Sequence, residues 1–148
     1  MPLPPTERIW PTATGKAMFS VFKGVHENVV VEGEDVMRLV TLRSHDQYNT
    51  TIYAMDDRYR GVFGRRDVLF MNEQDMAAQG LEHGDRVDIH TALPGSELTL
   101  EDITVVAYGI APGTVGAYYP EANVLVPLNY LDEESGTPSY KSCLLYTS

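Results

Sequence analysis

Hydrophobic residues occur along the chain in short runs that are separated by polar and glycine-containing segments. Short apolar or alternating runs predict β-strands, and they lie at 29–31, 36–42, 68–71, 86–90 and 98–108. The alternation of the last run is irregular at one point, which predicts a bulge. Residues 109–116 are rich in turn formers, and residues 120–122 predict a helical turn. The pattern predicts a mostly-β domain with short helices, folded as a barrel or a sandwich.

One helix is predicted between the strands at 68–71 and 86–90. Asn72 is a favourable N-cap, and acidic residues follow in the first turn. Gly80 suits the left-handed position that commonly ends a helix. The helix is therefore predicted from Glu73 to Gln79, and this part of the chain indicates a fold rather than a function.

Composition and charge exclude several classes of protein. A net charge of −10 argues against non-specific nucleic-acid binding, which needs a basic surface. The single cysteine, Cys143, excludes an internal disulfide and a multi-cysteine metal centre. No apolar run is long enough to cross a bilayer, and residues 1–5 lack the features of a secretory signal, which predicts a cytoplasmic protein. Residues 1–16 are rich in proline and threonine and predict a linker or an extended arm.

The positive charge is concentrated in one segment of this acidic chain. Five of the eleven basic residues lie between positions 43 and 66, and they are Arg43, Arg58, Arg60, Arg65 and Arg66. A local basic segment in an acidic chain indicates an anion site. The alternative is a solvated loop whose arginines pair with neighbouring acids, such as Arg60 with Asp57.

A dense polar run follows the predicted strand at 36–42, and it reads L-R-S-H-D-Q-Y-N-T-T at 42–51. Arginine can bind phosphate or a ring carbonyl with its fork of donors, while aspartate and asparagine can pair with guanine-like edges or ribose hydroxyls. The alternative is a polar loop whose side chains satisfy one another. The common nucleotide fingerprints are absent, the four histidines lack metal-ligand spacing, and no catalytic constellation is present.

Four segments in order resemble the C-terminal domain of the molybdopterin oxidoreductases, which include formate dehydrogenases, periplasmic nitrate reductases and dimethyl sulfoxide reductases. They are L-R-S-H-D-Q-Y-N-T-T-I-Y at 42–53, V-L-F-M-N and G-L-x-x-G-D-x-V around the predicted helix, E-A-N-V-L-V-P at 121–127 and G-T-P-S-Y-K-S at 136–142. The segments are most similar to formate-dehydrogenase-like α-subunits. The resemblance covers about residues 17–142 and implies a double-psi β-barrel of the aspartate-decarboxylase-like, formate-dehydrogenase C-terminal-domain-like class.

The resemblance also implies a cofactor. Proteins of this family bind molybdopterin guanine dinucleotide, usually two copies around one Mo or W atom, and their C-terminal domain contacts the pterin and the nucleotide. The matching positions are thereby implied as cofactor contacts, and they are Arg43, Ser44, Asp46, Gln47, Asn49, Asn123, Tyr140 and Lys141. Arg65 and Arg66 are assigned either to the phosphates or to a structural role. No catalytic residue, metal ligand or iron–sulfur ligand is implied in this segment.

The family's enzymes are much longer than 148 residues. The resemblance therefore implies that the metal ligand and the substrate funnel belong to upstream domains of the same polypeptide, and that this segment alone is inactive. The family usually closes with an apolar, basic strand, whereas C-L-L-Y-T-S stands at 143–148. We expect that hexapeptide to be an artefactual tail and the domain to span 17–142.

Two other functions stay open. A stand-alone double-psi barrel can act as a binding or interaction module without molybdopterin, but such a module does not need the polar set at 43–50, 123 and 140–141. A small aspartate-decarboxylase-like enzyme needs a Gly-Ser self-processing site. The one Gly-Ser pair, Gly95-Ser96, follows Pro94 in a predicted turn, which disfavours that enzyme.

Overall fold

Six strands form a closed barrel, in the order β1-β5-β2-β4-β3-β6 around the wall. The computed structural model describes residues 4–16, 18–19, 33, 35–49, 51–131, 136 and 143–147. The strands are β1 (Val36–Leu42), β2 (Val68–Met71), β3 (Arg86–Thr91), β4 (Thr99–Ala107), β5 (Thr114–Tyr118) and β6 (Cys143–Thr147). The helix α1 (Glu73–Gln79) and two 3-10 helices, Pro4–Glu7 and Glu121–Leu125, complete the described elements. The predicted mostly-β barrel with short helices is confirmed.

The strand directions bring three connections to one end of the barrel. β1 pairs in parallel with β5 and β2 with β4, whereas all other neighbours are antiparallel. As a result β1, β3 and β5 end where β2, β4 and β6 begin, and we call this side the loop end. The connections 43–67 and 92–98 and the segment that follows β5 all start there.

Two apolar clusters pack on opposite faces of β2, whose four residues are all buried. Leu69 and Met71 face the barrel interior, where they meet side chains of the other strands, including Leu39, Ile89, Ile103, Val105 and Val115. Val68 and Phe70 face the other way and form a second cluster with Val62 and Tyr118. The connection between β1 and β2 therefore folds back over the outer wall, because its Val62 lies in this second cluster.

The local signals for α1 and its caps are confirmed. The Asn72 side chain accepts a hydrogen bond from the backbone N–H of Gln74, and Gly80 has a left-handed backbone with φ of 69°. The predicted bulge is also present: between the pairs Val87–Ile103 and Ile89–Leu100, β3 advances two residues and β4 advances three. The strand predicted at 29–31 lies outside the described residues.

β5 was not predicted, because its sequence starts within the turn-rich segment and contains a glycine. A side chain at Gly116 would place its Cβ 2.9 Å from Cδ1 of Leu42, so the glycine leaves room for the Leu42 side chain to pack over β5. The tertiary packing of β5 therefore overrides the local turn signal.

Cys143–Thr147, in the segment expected to be a tail, forms β6 and pairs with both β1 and β3. At the other end of the chain, residues 6–16 are exposed. The domain boundaries and the artefactual origin of 143–148 stay predictions. No helix in the described part of the chain is long and apolar enough to cross a membrane.

Candidate functional site

The barrel topology brings two of the predicted site segments to the loop end. The polar loop, which we define as residues 43–49, leaves β1 directly, and Asn123 lies in the 3-10 helix that follows β5. β1 and β5 are neighbouring parallel strands, so both segments start from the same edge of the barrel. Tyr140 and Lys141 lie outside the described residues.

Ser44 and Gln47 point into the protein. Ser44 is only 4% exposed, and its backbone N–H donates to Oε1 of Gln47 at 3.1 Å. The Gln47 Nε2 donates across to the backbone carbonyl of Tyr119 at 2.6 Å. These two predicted site residues therefore hydrogen-bond to each other and to the protein. The bond from Gln47 to Tyr119 connects the polar loop to the residue that follows β5.

Arg66 lies at the centre of the same network and is 4% exposed. Its guanidinium donates to Ser44 Oγ at 2.9 Å and to Gln47 Oε1 at 2.9 Å, and it forms a two-pronged ion pair with Glu121 at 2.5 and 3.2 Å. All three guanidinium nitrogens are thus engaged within the protein. Of the two roles considered for Arg66, the geometry supports the structural one.

Arg43, Asp46 and Asn49 are the exposed members of the polar loop among the predicted site residues. The Arg43 guanidinium is 3.4 Å from Asn49 Oδ1 and 5.9 Å from the centre of the Tyr119 ring. Asn49 has φ of 52°, a left-handed conformation that asparagine tolerates better than most residues. The loop therefore presents a cation, a carboxylate and an amide to solvent at the loop end.

A second network is centred on Asp57, which is 2% exposed. Its carboxylate contacts His45 Nδ1 at 3.0 Å and accepts hydrogen bonds from Arg60 at 2.6 Å and the Tyr118 hydroxyl at 3.0 Å. Burial acts to raise the pKa of Asp57, but these hydrogen bonds and the charge of Arg60 outweigh it and lower the pKa. Burial and the bond to Asp57 raise the pKa of Tyr118.

His45 is a candidate functional residue that sequence reasoning did not select. Asp57 holds one ring nitrogen, the ring stacks 4.3 Å from that of Tyr59, and the side chain is still 43% exposed. An oriented and partly exposed imidazole can donate or accept a hydrogen bond at its second nitrogen. The partner Asp57 is twelve residues away, and no local spacing rule indicates that pair.

The basic segment carries less available charge than its sequence suggests. Arg60 pairs with Asp57, Arg65 with Asp67 and Arg66 with Glu121. Arg43 and Arg58 are the exposed arginines of the five, and Arg58 lies 5.1 Å from the Tyr59 ring centre. The alternative of arginines that pair with acids therefore holds for three of the five, and the anion site stays a prediction that only the two exposed arginines could serve.

Asn123 offers a buried acceptor. Its Oδ1 has no hydrogen-bond partner among the described residues, and its side chain lines a cavity of about 450 Å³ beside the turn at 95–98. A buried acceptor without a donor costs free energy, so a hydrogen-bond donor placed at this atom would stabilise the site. Among the residues that the structure describes, no group of three or more histidine, cysteine, aspartate or glutamate side chains is arranged for a metal ion.

Comparisons with known proteins identify the family of this chain. The family model described as "Molydopterin dinucleotide binding domain" matches residues 37–144. "Protein YdeP" of Escherichia coli (strain K12) is 42% identical over 139 residues, which cover 92% of this chain and 18% of that protein. "Uncharacterized oxidoreductase Rv2900c" of Mycobacterium tuberculosis is 45% identical over 151 residues, 98% of this chain and 19% of that protein.

The chain thus spans about a fifth of the length of these relatives. The family model nevertheless extends from the second residue of β1 to the second residue of β6, and so it includes β2 to β5, nearly all of β1 and both segments of the loop end. This chain belongs to the molybdopterin-dinucleotide-binding domain family of the molybdopterin oxidoreductases.

Proposed function

We propose that the loop end of this barrel holds the nucleotide part of a molybdopterin guanine dinucleotide. The observation that carries this proposal is that the side chains of the polar loop divide into an inward-facing and a solvent-facing set. Ser44 and Gln47 are fixed from inside, while Arg43, Asp46 and Asn49 are presented to solvent. Arg43 donates a hydrogen bond to Asn49 within the loop, and all three side chains still have exposed surface for a ligand.

The exposed groups match the chemistry of a guanine dinucleotide. The Arg43 guanidinium suits a pyrophosphate, and the Asp46 carboxylate suits guanine N–H groups or ribose hydroxyls. Asn49 and the buried Asn123 acceptor add amide contacts, and Tyr140 and Lys141 stay predicted contacts. The bound molybdopterin centre supplies two-electron redox chemistry, whereas the residues of this chain bind and orient it.

The proposal extends to the whole protein. The relatives are about five times longer than this chain, and the names of some contain the word oxidoreductase. We infer that the domain works with upstream domains of one polypeptide in a formate-dehydrogenase-like enzyme, with two dinucleotides around Mo or W. The six strands and the two parallel pairings, β1 with β5 and β2 with β4, support a double-psi barrel.

Titration of the 148-residue chain with GDP tests the binding role. We expect GDP to bind, and Arg43→Ala with Asp46→Ala to raise the dissociation constant about tenfold or more. Each charged hydrogen bond contributes about 1.5–3 kcal/mol, and about 1.4 kcal/mol corresponds to a factor of ten. The measurement is isothermal titration calorimetry at low salt, with ADP as the competitor that separates guanine recognition from phosphate binding.

Arg58→Ala is the matched control, because Arg58 is an exposed arginine of the same basic segment but lies outside the polar loop. We expect its dissociation constant to stay within about twofold of the unchanged chain. A folded chain that does not bind GDP, or a double variant that binds as well as the control, contradicts the proposal. Equal binding of ADP and GDP contradicts its guanine part.

A further inference from the structure

We propose that Arg66 is a positioning residue, which sets how Arg43, Asp46 and Asn49 are presented to the nucleotide. This inference rests on the function proposed above. Arg66 is not itself a ligand contact, because its guanidinium is turned inward and engaged with the protein.

The contacts of Arg66 join two separate parts of the chain. Ser44 and Gln47 belong to the polar loop, whereas the Tyr119 carbonyl and the Glu121 carboxylate belong to the segment after β5. Arg66 itself stands two residues before β2. A single side chain therefore fixes both nucleotide-facing segments against a common strand.

The surroundings of Arg66 restrict its orientation. Its guanidinium lies over two aromatic rings, 4.5 Å from the centre of Tyr53 and 4.7 Å from that of Tyr118. The planar fork can pair with Glu121 through two nitrogens and still reach Ser44 and Gln47. A lysine ammonium is a point charge that cannot lie flat against aromatic rings or make this set of bonds at once.

The order of residues in the polar loop explains how the buried Arg66 can influence the exposed side chains of that loop. Ser44 directly follows Arg43 in the sequence, and Gln47 lies between Asp46 and Asn49. The Gln47 backbone N–H also donates to the Ser44 carbonyl at 3.1 Å, which closes a tight turn. Because Arg66 holds the two inward residues of this turn, the directions of the three exposed side chains follow from it.

Arg65 provides a matched control within the same dipeptide. Its guanidinium pairs with Asp67 at 2.5 Å on the surface, where both side chains are more than a third exposed. It is an arginine in the same basic segment, with the same charge. Arg65→Lys and Arg66→Lys thus make the same chemical change one residue apart, once outside the network and once at its centre.

The test combines GDP titration with amide hydrogen exchange on the 148-residue chain, at a temperature well below the unfolding of every variant. We expect Arg66→Lys to raise the GDP dissociation constant tenfold or more. We also expect it to speed exchange at Gln47 and Tyr119 together. Arg65→Lys should change the constant less than twofold and leave both amides unaffected. Glu121→Gln, which keeps one acceptor, should fall between the two, and it serves as the second variant if Arg66→Lys does not fold.

Several outcomes separate positioning from simple stabilisation. If Arg66→Lys lowers the melting temperature while the folded protein binds GDP as well as before, the positioning role is overturned. It is also overturned if Gln47 and Tyr119 respond independently. If the unchanged chain does not bind GDP, the proposed function fails, and amide exchange alone then decides whether Arg66 couples the two segments.

Discussion

Replacing Asp57 with asparagine keeps the shape of the side chain and removes its charge. Asp57 is 2% exposed, and its partner Arg60 lies 2.6 Å away with a side chain that is 15% exposed. Removing one partner of a buried ion pair costs about 3–5 kcal/mol, because the other charge stays buried. The asparagine oxygen still accepts one hydrogen bond, so we expect a loss of about 2–3 kcal/mol in the free energy of unfolding at pH 7.

The effect should depend on pH in one direction. The folded protein lowers the pKa of Asp57, so this carboxylate contributes stability above its unfolded pKa of about 3.9. That contribution is lost as the pH falls below this value and through the lower folded pKa. The difference in stability between the unchanged chain and Asp57→Asn should therefore be full at pH 7 and shrink below about pH 4.

Urea unfolding followed by circular dichroism measures this difference at pH 7 and at acidic pH. Asp46→Asn is the control, because Asp46 is exposed on the polar loop and its replacement should change stability by less than about 0.5 kcal/mol. An Asp57→Asn variant as stable as the control at pH 7 would show that the ion pair does not hold the connection on the barrel wall. A loss that is constant with pH would refute the electrostatic explanation.

Two further predictions concern glycines. Gly116→Val should cost about 1–3 kcal/mol, because even its Cβ would come 2.9 Å from Leu42, and Leu42→Ala should recover part of that cost in urea unfolding. Gly80→Ala should lower stability by about 1–2 kcal/mol because of its left-handed backbone, whereas Gly109→Ala, with open space and no such strain, should be nearly neutral in thermal unfolding.

The parts of the fold that local chemistry determines were predictable. The bounds of α1 follow from Asn72 and Gly80, since each cap acts on residues within one turn of it. β5 was missed because Gly116 reads as a turn former locally. Its place in the barrel comes from β1, which lies more than seventy positions earlier in the sequence.

The candidate site was predictable as a segment but not as an arrangement. The polar run after β1 is visible in the sequence, and the resemblance assigned it to the cofactor. Sequence alone did not divide it into inward Ser44 and Gln47 and outward Arg43 and Asp46. That division depends on Arg66 and Glu121, which are 55 residues apart and meet only in the folded barrel.

The two-sided burial of β2 has a consequence for how this strand avoids slipping. Leu69 and Met71 pack in one cluster, and Val68 and Phe70 in the other. A shift by one residue would move the apolar residues to the opposite faces and bring Asp67 or Asn72 into a buried position of the strand. Arg66 and Asn72 flank the strand with buried or partly buried hydrogen bonds to distant partners. These two residues fix the register of β2 from both sides, because a strand shifted by one residue would have to break the hydrogen bonds of both.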